Sequence, residues 1–315
     1  MTATFAPVAL PSDLDGIAAW IDSEAMAALL AEFRHEPLPT GSLGDRLAAL
    51  EAVSARCWDY RKGLERHQAT GETFSPERTA RIEAAATALG LLGHRPPPAD
   101  DYDHILVLGG GVRTMLARAD LAADLARQGV STTTIAGLGS VRPLDNPAQV
   151  AQELGLPESP TEGDAVEVGL RRALRLGQPP SRRSGVSDTG QPWWIRSYED
   201  TRPPVHVLAA PSTRPGMRAN TGDTFIGWAE LVEPRPEGAR LLLVTTDIFV
   251  PFQHCDAVRL LTLQYRCHVD TVGFDTRSNP WVKTPETFQV LQEVRSAVRS
   301  MQALHSALDG EQAAM

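Results

Sequence analysis

Apolar positions fall at helical spacing through the first hundred residues and collect in short unbroken runs after them. Ile17, Ile21, Leu29, Leu30 and Phe33 form one periodic stretch behind Ser12, which with Asp15 reads as a loose capping box. Leu47, Leu50, Val53, Trp58 and Leu64 predict a second helix over 43–67, set off from the first by a turn at Pro39 and Gly41. Ser75-Pro76-Glu77 is a strong start for a third: a serine cap, a proline in the first turn and an acid beside the helix dipole. That helix ends near 92–93. The stiff Arg95-Pro96-Pro97-Pro98 follows and marks a boundary between a helical N-terminal region, 1–98, and an α/β domain, 99–315.

Beyond the boundary, His104-Ile105-Leu106-Val107-Leu108 is a buried-strand pattern running into Gly109-Gly110-Gly111. A helix over 113–128 follows. A strand over 131–136 leads to a loop at Gly137-Leu138-Gly139, and a helix over 164–176 comes after it. A strand over 205–209 ends at Ala210-Pro211-Ser212, and 223–232 is helical. A strand over 241–244 ends at Thr245-Thr246-Asp247, and helix runs on to about 265. The last elements are a strand over 268–274 and a helix over 284–308. Strands alternating with helices predict an α/β fold: a Rossmann-like three-layer parallel sheet with right-handed crossovers and an N-terminal helical extension. The stretch 177–204 fits no regular element except a short strand at Trp193-Trp194-Ile195, and reads as a lid, a binding loop or unstructured chain.

Composition narrows the function. Of 315 residues, 42% are hydrophobic, enough for a sizeable core, and the formal net charge is -9. That balance argues against nucleic acid, whose backbone is held by an excess of basic residues. Lys62 and Lys283 are the only lysines among 30 basic residues, so 28 are arginines. Codon bias accounts for the ratio, and guanidinium forks also suit anion recognition. Cys57, Cys255 and Cys267 form no CxxC pair, which fits a reducing cytoplasm and no zinc site. The N-terminus lacks the pattern of a signal peptide, and no run approaches the ~18 apolar residues of a membrane helix. A cytoplasmic protein is expected.

Ligands of open α/β sheets sit outside the carboxyl ends of the strands. That rule selects Gly110 and Gly111 with Arg113 and Thr114 behind the first strand, and Gly139 with Arg142 behind the second. It also selects Ser212, Asn220 and Thr221 behind the third, and Thr245 and Thr246 behind the fourth. Glycines permit close backbone approach, and the following helix N-termini offer free N–H groups. Thr161-Glu162-Gly163-Asp164 reads by spacing as a helix cap. No flavin or complete dinucleotide fingerprint is present. His254-Cys255-Asp256 looks like a metal triplet, but consecutive helix positions diverge by about 100°, so no metal is expected there.

The order of LGGG with Arg118, AGLG, Thr161-Glu162, Asn220-Thr221-Gly222-Asp223 and Leu243-Val244-Thr245-Thr246 resembles the DUF218 superfamily, with its SanA/ElyC/YdcF-like Rossmann-like domain, over about 103–275. The resemblance implies a soluble, divergent member with an added helical N-terminus, brings Arg118 into the site and raises Glu162 from cap to pocket residue. The chain has Asp223 and Thr224 where the family has glutamate and asparagine, and Phe249 and Phe252 where it has histidine and arginine. Gln253 shares a helical face with Phe249, whereas His254 falls about 140° away.

The leading expectation is an enzyme of group transfer or hydrolysis acting on a small anionic or nucleotide-like metabolite. Glu162, Asp223, Gln253 and His254 are the candidate catalytic groups. Gly110, Gly111, Arg113, Arg118, Gly139, Arg142, Ser212, Asn220, Thr221, Thr245 and Thr246 are the candidate ligand contacts. A nucleotide or an S-adenosylmethionine-like molecule is the cofactor class considered, with no nucleic acid and no membrane partner. A noncatalytic sensor is the alternative. The stripes at Ile17, Ile21, Leu47 and Leu50 pack on the core or, alternatively, form a homodimer surface.

Overall fold

The computed structural model describes residues 4–33, 37–63, 68–177, 180–234 and 236–314, with side chains to residue 310. Alternation along the strands sets the sheet between two helical faces. In β1 (Asp101–Leu108), Ile105 and Val107 face one layer while Leu106 and Leu108 face the other. The first layer holds α5 (Val112–Arg127), α6 (Pro147–Leu154) and α7 (Glu162–Leu174). The second holds α8 (Thr221–Gly227), the π-helical turn Trp228–Val232 that continues it, and the π-helical turn Val258–Thr262 between α9 (Val250–Ala257) and α10 (Leu263–Tyr265).

The other strands are β2 (Ser131–Ser140), β3 (Ser181–Val186), β4 (Pro192–Tyr198), β5 (Val205–Ala210), β6 (Arg240–Thr246) and β7 (His268–Phe274). Their order is β3-β4-β5-β2-β1-β6-β7. β5, β2, β1, β6 and β7 are parallel neighbours; β4 is antiparallel to β5 and β3 to β4. The result is a Rossmann-like α/β fold with N-terminal helices. The stretch 177–204, expected to hold one short strand, instead carries the β3–β4 hairpin that extends the sheet. Cross-strand packing explains it: Gly185 leaves room beneath the Trp193 ring, and Arg196 lies over Trp194 with its guanidinium 3.9 Å from the ring centre. Residues 178 and 179 lie outside the described residues.

The N-terminal stretch divides into α1 (Leu14–Ile21), α2 (Glu24–Glu32), α3 (Leu43–Cys57) and α4 (Pro76–Ala88). The single helix expected behind Ser12 is therefore two. Asp13, not Ser12, caps α1, and Ser23 caps α2 through its hydroxyl. The second predicted helix stops at Cys57 rather than running to 67, and residues 64–67 lie outside the described residues. Ser75 and Pro76 open α4 as the sequence predicts.

These four helices share one apolar core with α11 (Thr287–Ala314) and with Ile248, Phe249 and Cys255 of the sheet domain. Arg95 ties the layer to itself, donating to the carbonyls of Val8, Thr87 and Ala88. Trp20 donates from its indole to Leu89 O at 3.1 Å. The stripes at Ile17, Ile21, Leu47 and Leu50 are spent inside this core. No helix among the described residues is long and apolar enough to cross a membrane.

Gly137-Leu138-Gly139 lies inside β2, not in a loop after it. A Cβ on Gly139 would stand 2.8 Å from Gly163 Cα and 2.9 Å from Gly163 N, so the glycine lets α7 ride close on the strand. Gly139→Ala should lose about 1–3 kcal/mol in a urea titration, as overpacking does. An unchanged midpoint would mean that α7 yields freely.

Candidate functional site

β1 and β6 are neighbours whose connections leave toward opposite ends of the sheet, which makes a topological switch point between Leu108 and Thr246. A cavity of about 290 Å³ opens beside it, at the end of β6. Thr114 from the first turn of α5, Thr246 and Thr276 from the strand ends, and Arg61 and Lys283 from flanking segments line it. Phe249 and Phe288 give it an apolar wall.

Gly111 caps α5 without a side-chain hydrogen bond, so the N–H groups of its first turn have no side-chain acceptor at the cap. Arg118, one turn and more along α5, is 2% exposed. Its guanidinium donates to Leu108 O at 2.7 Å and to Gly109 O. It also donates from Nε and Nη2 to Thr246 Oγ1 at 3.2 and 3.0 Å. One buried cation thus ties the ends of β1 and β6 together. Beneath Thr246, Asp247 is buried and accepts from Gly93 N, Thr276 N and Thr276 Oγ1, each at 3.1 Å, and from Ile248 N at 2.8 Å. Burial pushes its carboxyl up from the ordinary carboxylate value.

The far wall belongs to the helical layer. Gln292 Oε1 accepts from the backbone N–H groups of Tyr60 and Arg61 at 2.8 and 2.9 Å, and Arg61 Nη2 meets Glu293 Oε1 at 2.6 Å. Those bonds set Arg61 at the mouth. The segment between β7 and α11 crosses the rim and is anchored at Trp281, whose indole donates to Asp120 at 2.8 Å under the Arg172 guanidinium. Lys283 is carried on that segment.

The candidates picked from the sequence fall into separate groups. Gly110, Gly111, Arg118 and Thr246 gather at the switch point. Glu162 sits beside Gly109, whose Cβ position is 3.1 Å from its carboxyl carbon; it accepts from Ser140 Oγ at 2.6 Å and Arg142 at 3.0 Å. Thr161 and Asp164 close a capping box around it, so the cap reading holds for this box while Glu162 itself turns to the rim. Gln253 accepts from Thr245 inside the second layer.

The others lie elsewhere. Arg113 is exposed and paired with Glu153. Gly139 faces α7. Asn220 and Asp223 form a capping box, and Asp223 also accepts from Thr213 N and Oγ1 at 3.0 and 2.6 Å. Ser212 binds Arg214 N, and Thr221 opens α8. These lie at the end of β5, three strand steps from β6, or about 14 Å at the usual strand spacing.

His254 is buried against Thr271 Oγ1 at 3.1 Å, with Ser12 Oγ at 3.4 Å, away from the rim. Burial lowers its pKa to about 4. The unfolded chain takes up this proton near pH 6.5 and the folded one only near 4, so stability is lost as pH falls between them. His104 and His206 are shifted the same way by burial. Between pH 7 and 4 the wild type should lose about 3 kcal/mol more than His254→Gln in urea titrations. Parallel curves would show that His254 charges inside the fold. Among the described residues, no three His, Cys, Asp or Glu side chains are placed to hold a metal ion.

Arg61, Lys283, Thr276 and Phe288 had no local motif to reveal them. The one available hint was that Lys283 is one of two lysines.

A family model described as the Rv3785 N-terminal domain matches residues 8–90. Uncharacterized protein Rv3785 of Mycobacterium tuberculosis is 30% identical, with 96% of this chain and 92% of that protein covered. Uncharacterized protein Mb3814 of Mycobacterium bovis matches with the same identity and coverage. No solved structure matches. These matches overturn the DUF218 resemblance. Its short motifs have local work in this fold: Gly139 admits a helix, and Thr161 and Asn220 cap helices.

Proposed function

The chain belongs to the Rv3785 family, and from that premise we propose that it binds a small anionic or nucleotide-like metabolite in the cavity at the end of β6, as an enzyme of group transfer or hydrolysis. The observation that carries the reading is the cavity itself. It stands beside the switch point of a parallel sheet, where such folds take their ligands, with four threonines, Arg61 and Lys283 around it. The positive end of α5 adds to the attraction for an anion. Glu162, beside Gly109, is the acid/base candidate nearest that loop.

A specific observation favours a second reading, a noncatalytic sensor. Glu162 is engaged by Ser140 and Arg142, Asp223 by Thr213 and Asn220, and Gln253 by Thr245, while His254 is buried elsewhere. A thermal-shift panel of nucleotides, S-adenosylmethionine, sugar phosphates and amino acids tests the binding. A ligand at 100 times its Kd adds about 2.7 kcal/mol. Lys283→Ala, at an exposed position, should weaken the hit several-fold and reduce its salt dependence. A panel with no hit on folded protein overturns the reading. Turnover of the hit that disappears in Glu162→Gln with binding intact separates the enzyme from the sensor.

A further inference from the structure

Thr246 is 4% exposed and lines the cavity. A hydroxyl has two acceptor sites and one proton. Two N–H groups of Arg118 approach its oxygen, at 3.2 and 3.0 Å, so the acceptor side of the hydroxyl is occupied by a cation. Among the described residues no acceptor takes the Thr246 proton. The proton turns away from the guanidinium, and the guanidinium behind it makes the hydroxyl a stronger donor. The floor of the cavity is therefore a donor with a positive charge at its back.

Donors reach the same space from other directions. Thr114 brings the uncapped first turn of α5, and Lys283 and Arg61 stand on the flanking segments. Three directions of donors match the three terminal oxygens of a phosphomonoester better than the two coplanar oxygens of a carboxylate. Phe249, Phe288 and Pro285 in the lining suit a flat apolar body; of the two carboxylates also there, Glu286 and Glu293, the second is paired with Arg61, which leaves Lys283 and the Arg118-backed Thr246 to meet the anion. About 290 Å³ is at the small end of ligand pockets, room for a single-ring molecule rather than a dinucleotide.

Resting on the binding reading above, we propose that the ligand is a small phosphomonoester with an apolar ring, and that Thr246, polarised by Arg118, is the residue that donates to its phosphate. Thr246 is a specificity residue for the phosphoryl group, while Lys283 supplies longer-range attraction.

Calorimetric titration of the full chain with phenyl phosphate, benzoate and benzyl alcohol tests this. Phenyl phosphate should bind at least tenfold tighter than benzoate, and benzyl alcohol weakest. Thr246→Val should lose about tenfold for phenyl phosphate and little for benzoate, with Thr246→Ser restoring it. Should Thr246→Val not fold, the pH dependence of the wild type decides. The second ionisation of a phosphate lies near 6, so phenyl phosphate binding should strengthen about tenfold from pH 5 to 7 while benzoate stays level. Benzoate binding as tightly as phenyl phosphate, or Thr246→Val binding unchanged with Lys283→Ala weakened, overturns the phosphomonoester assignment and leaves the anion site standing. No binding of any of the three probes overturns this assignment, and the wider panel then decides the anion site itself.

Discussion

Arg118→Leu should lower the stability of the chain by about 3–5 kcal/mol, the cost of leaving buried partners without their charge-assisted donor. Leu108 O, Gly109 O and Thr246 Oγ1 would all lose it. The strand ends they belong to form the switch point, so ligand binding should fall with stability. Arg118→Lys keeps the charge but cannot serve three acceptors from one planar fork, and should recover only part of the loss. A urea titration checks the first effect, and the thermal shift by the panel hit checks the second. If Arg118→Leu kept both stability and binding, the two strand ends would not depend on this residue.

Asp247→Ala should cost a similar amount, about 3–5 kcal/mol, for a different reason. Its carboxylate accepts from three backbone N–H groups, of which those of Ile248 and Thr276 are buried, and each buried donor left orphaned costs about 1–3 kcal/mol. Two of the three belong to Gly93, at the end of the N-terminal layer, and Thr276, at the start of the segment that carries Lys283. Asp247→Asn presents one oxygen instead of two and should restore about half. Amide hydrogen exchange offers a local reading: the Gly93 and Thr276 amides should lose protection in Asp247→Ala before the amides of β1 do. Uniform loss would show that Asp247 supports the whole sheet rather than the docking of the layer.

The sheet was legible in the sequence because its strands are buried on both faces. Runs such as Ile105 to Leu108 and Leu241 to Val244 have few other homes than a parallel sheet. The β3–β4 hairpin was not, because β3 is an exposed edge of Ser, Arg and Gly whose pairing depends on Trp193 and Trp194 opposite. The site was half legible. Gly110, Gly111 and Thr246 follow from the rule that strand ends face a ligand, whereas Arg118 entered only through the DUF218 resemblance that the relatives overturn. Gly139 did not obey it, since a glycine needed for helix packing and one needed for a loop look alike in sequence. Asn220 and Asp223 were polar for the sake of each other. The far wall was hidden for a topological reason: Arg61 and Phe288 are 227 positions apart and meet only because α11 folds back onto the N-terminal helices.

That arrangement has a consequence for the family. The matched N-terminal domain, residues 8–90, includes Arg61, so it supplies one wall of the proposed site as well as a packing layer.

Native mass spectrometry of the gently purified full chain, wild type beside Lys283→Glu, bears most directly on the proposed anion site. The account predicts that panel compounds with an anionic group give a one-to-one adduct with the wild type that Lys283→Glu holds far more weakly, both proteins being folded. Adducts carried equally by the two, or a folded wild type that takes up no anionic compound, would contradict it.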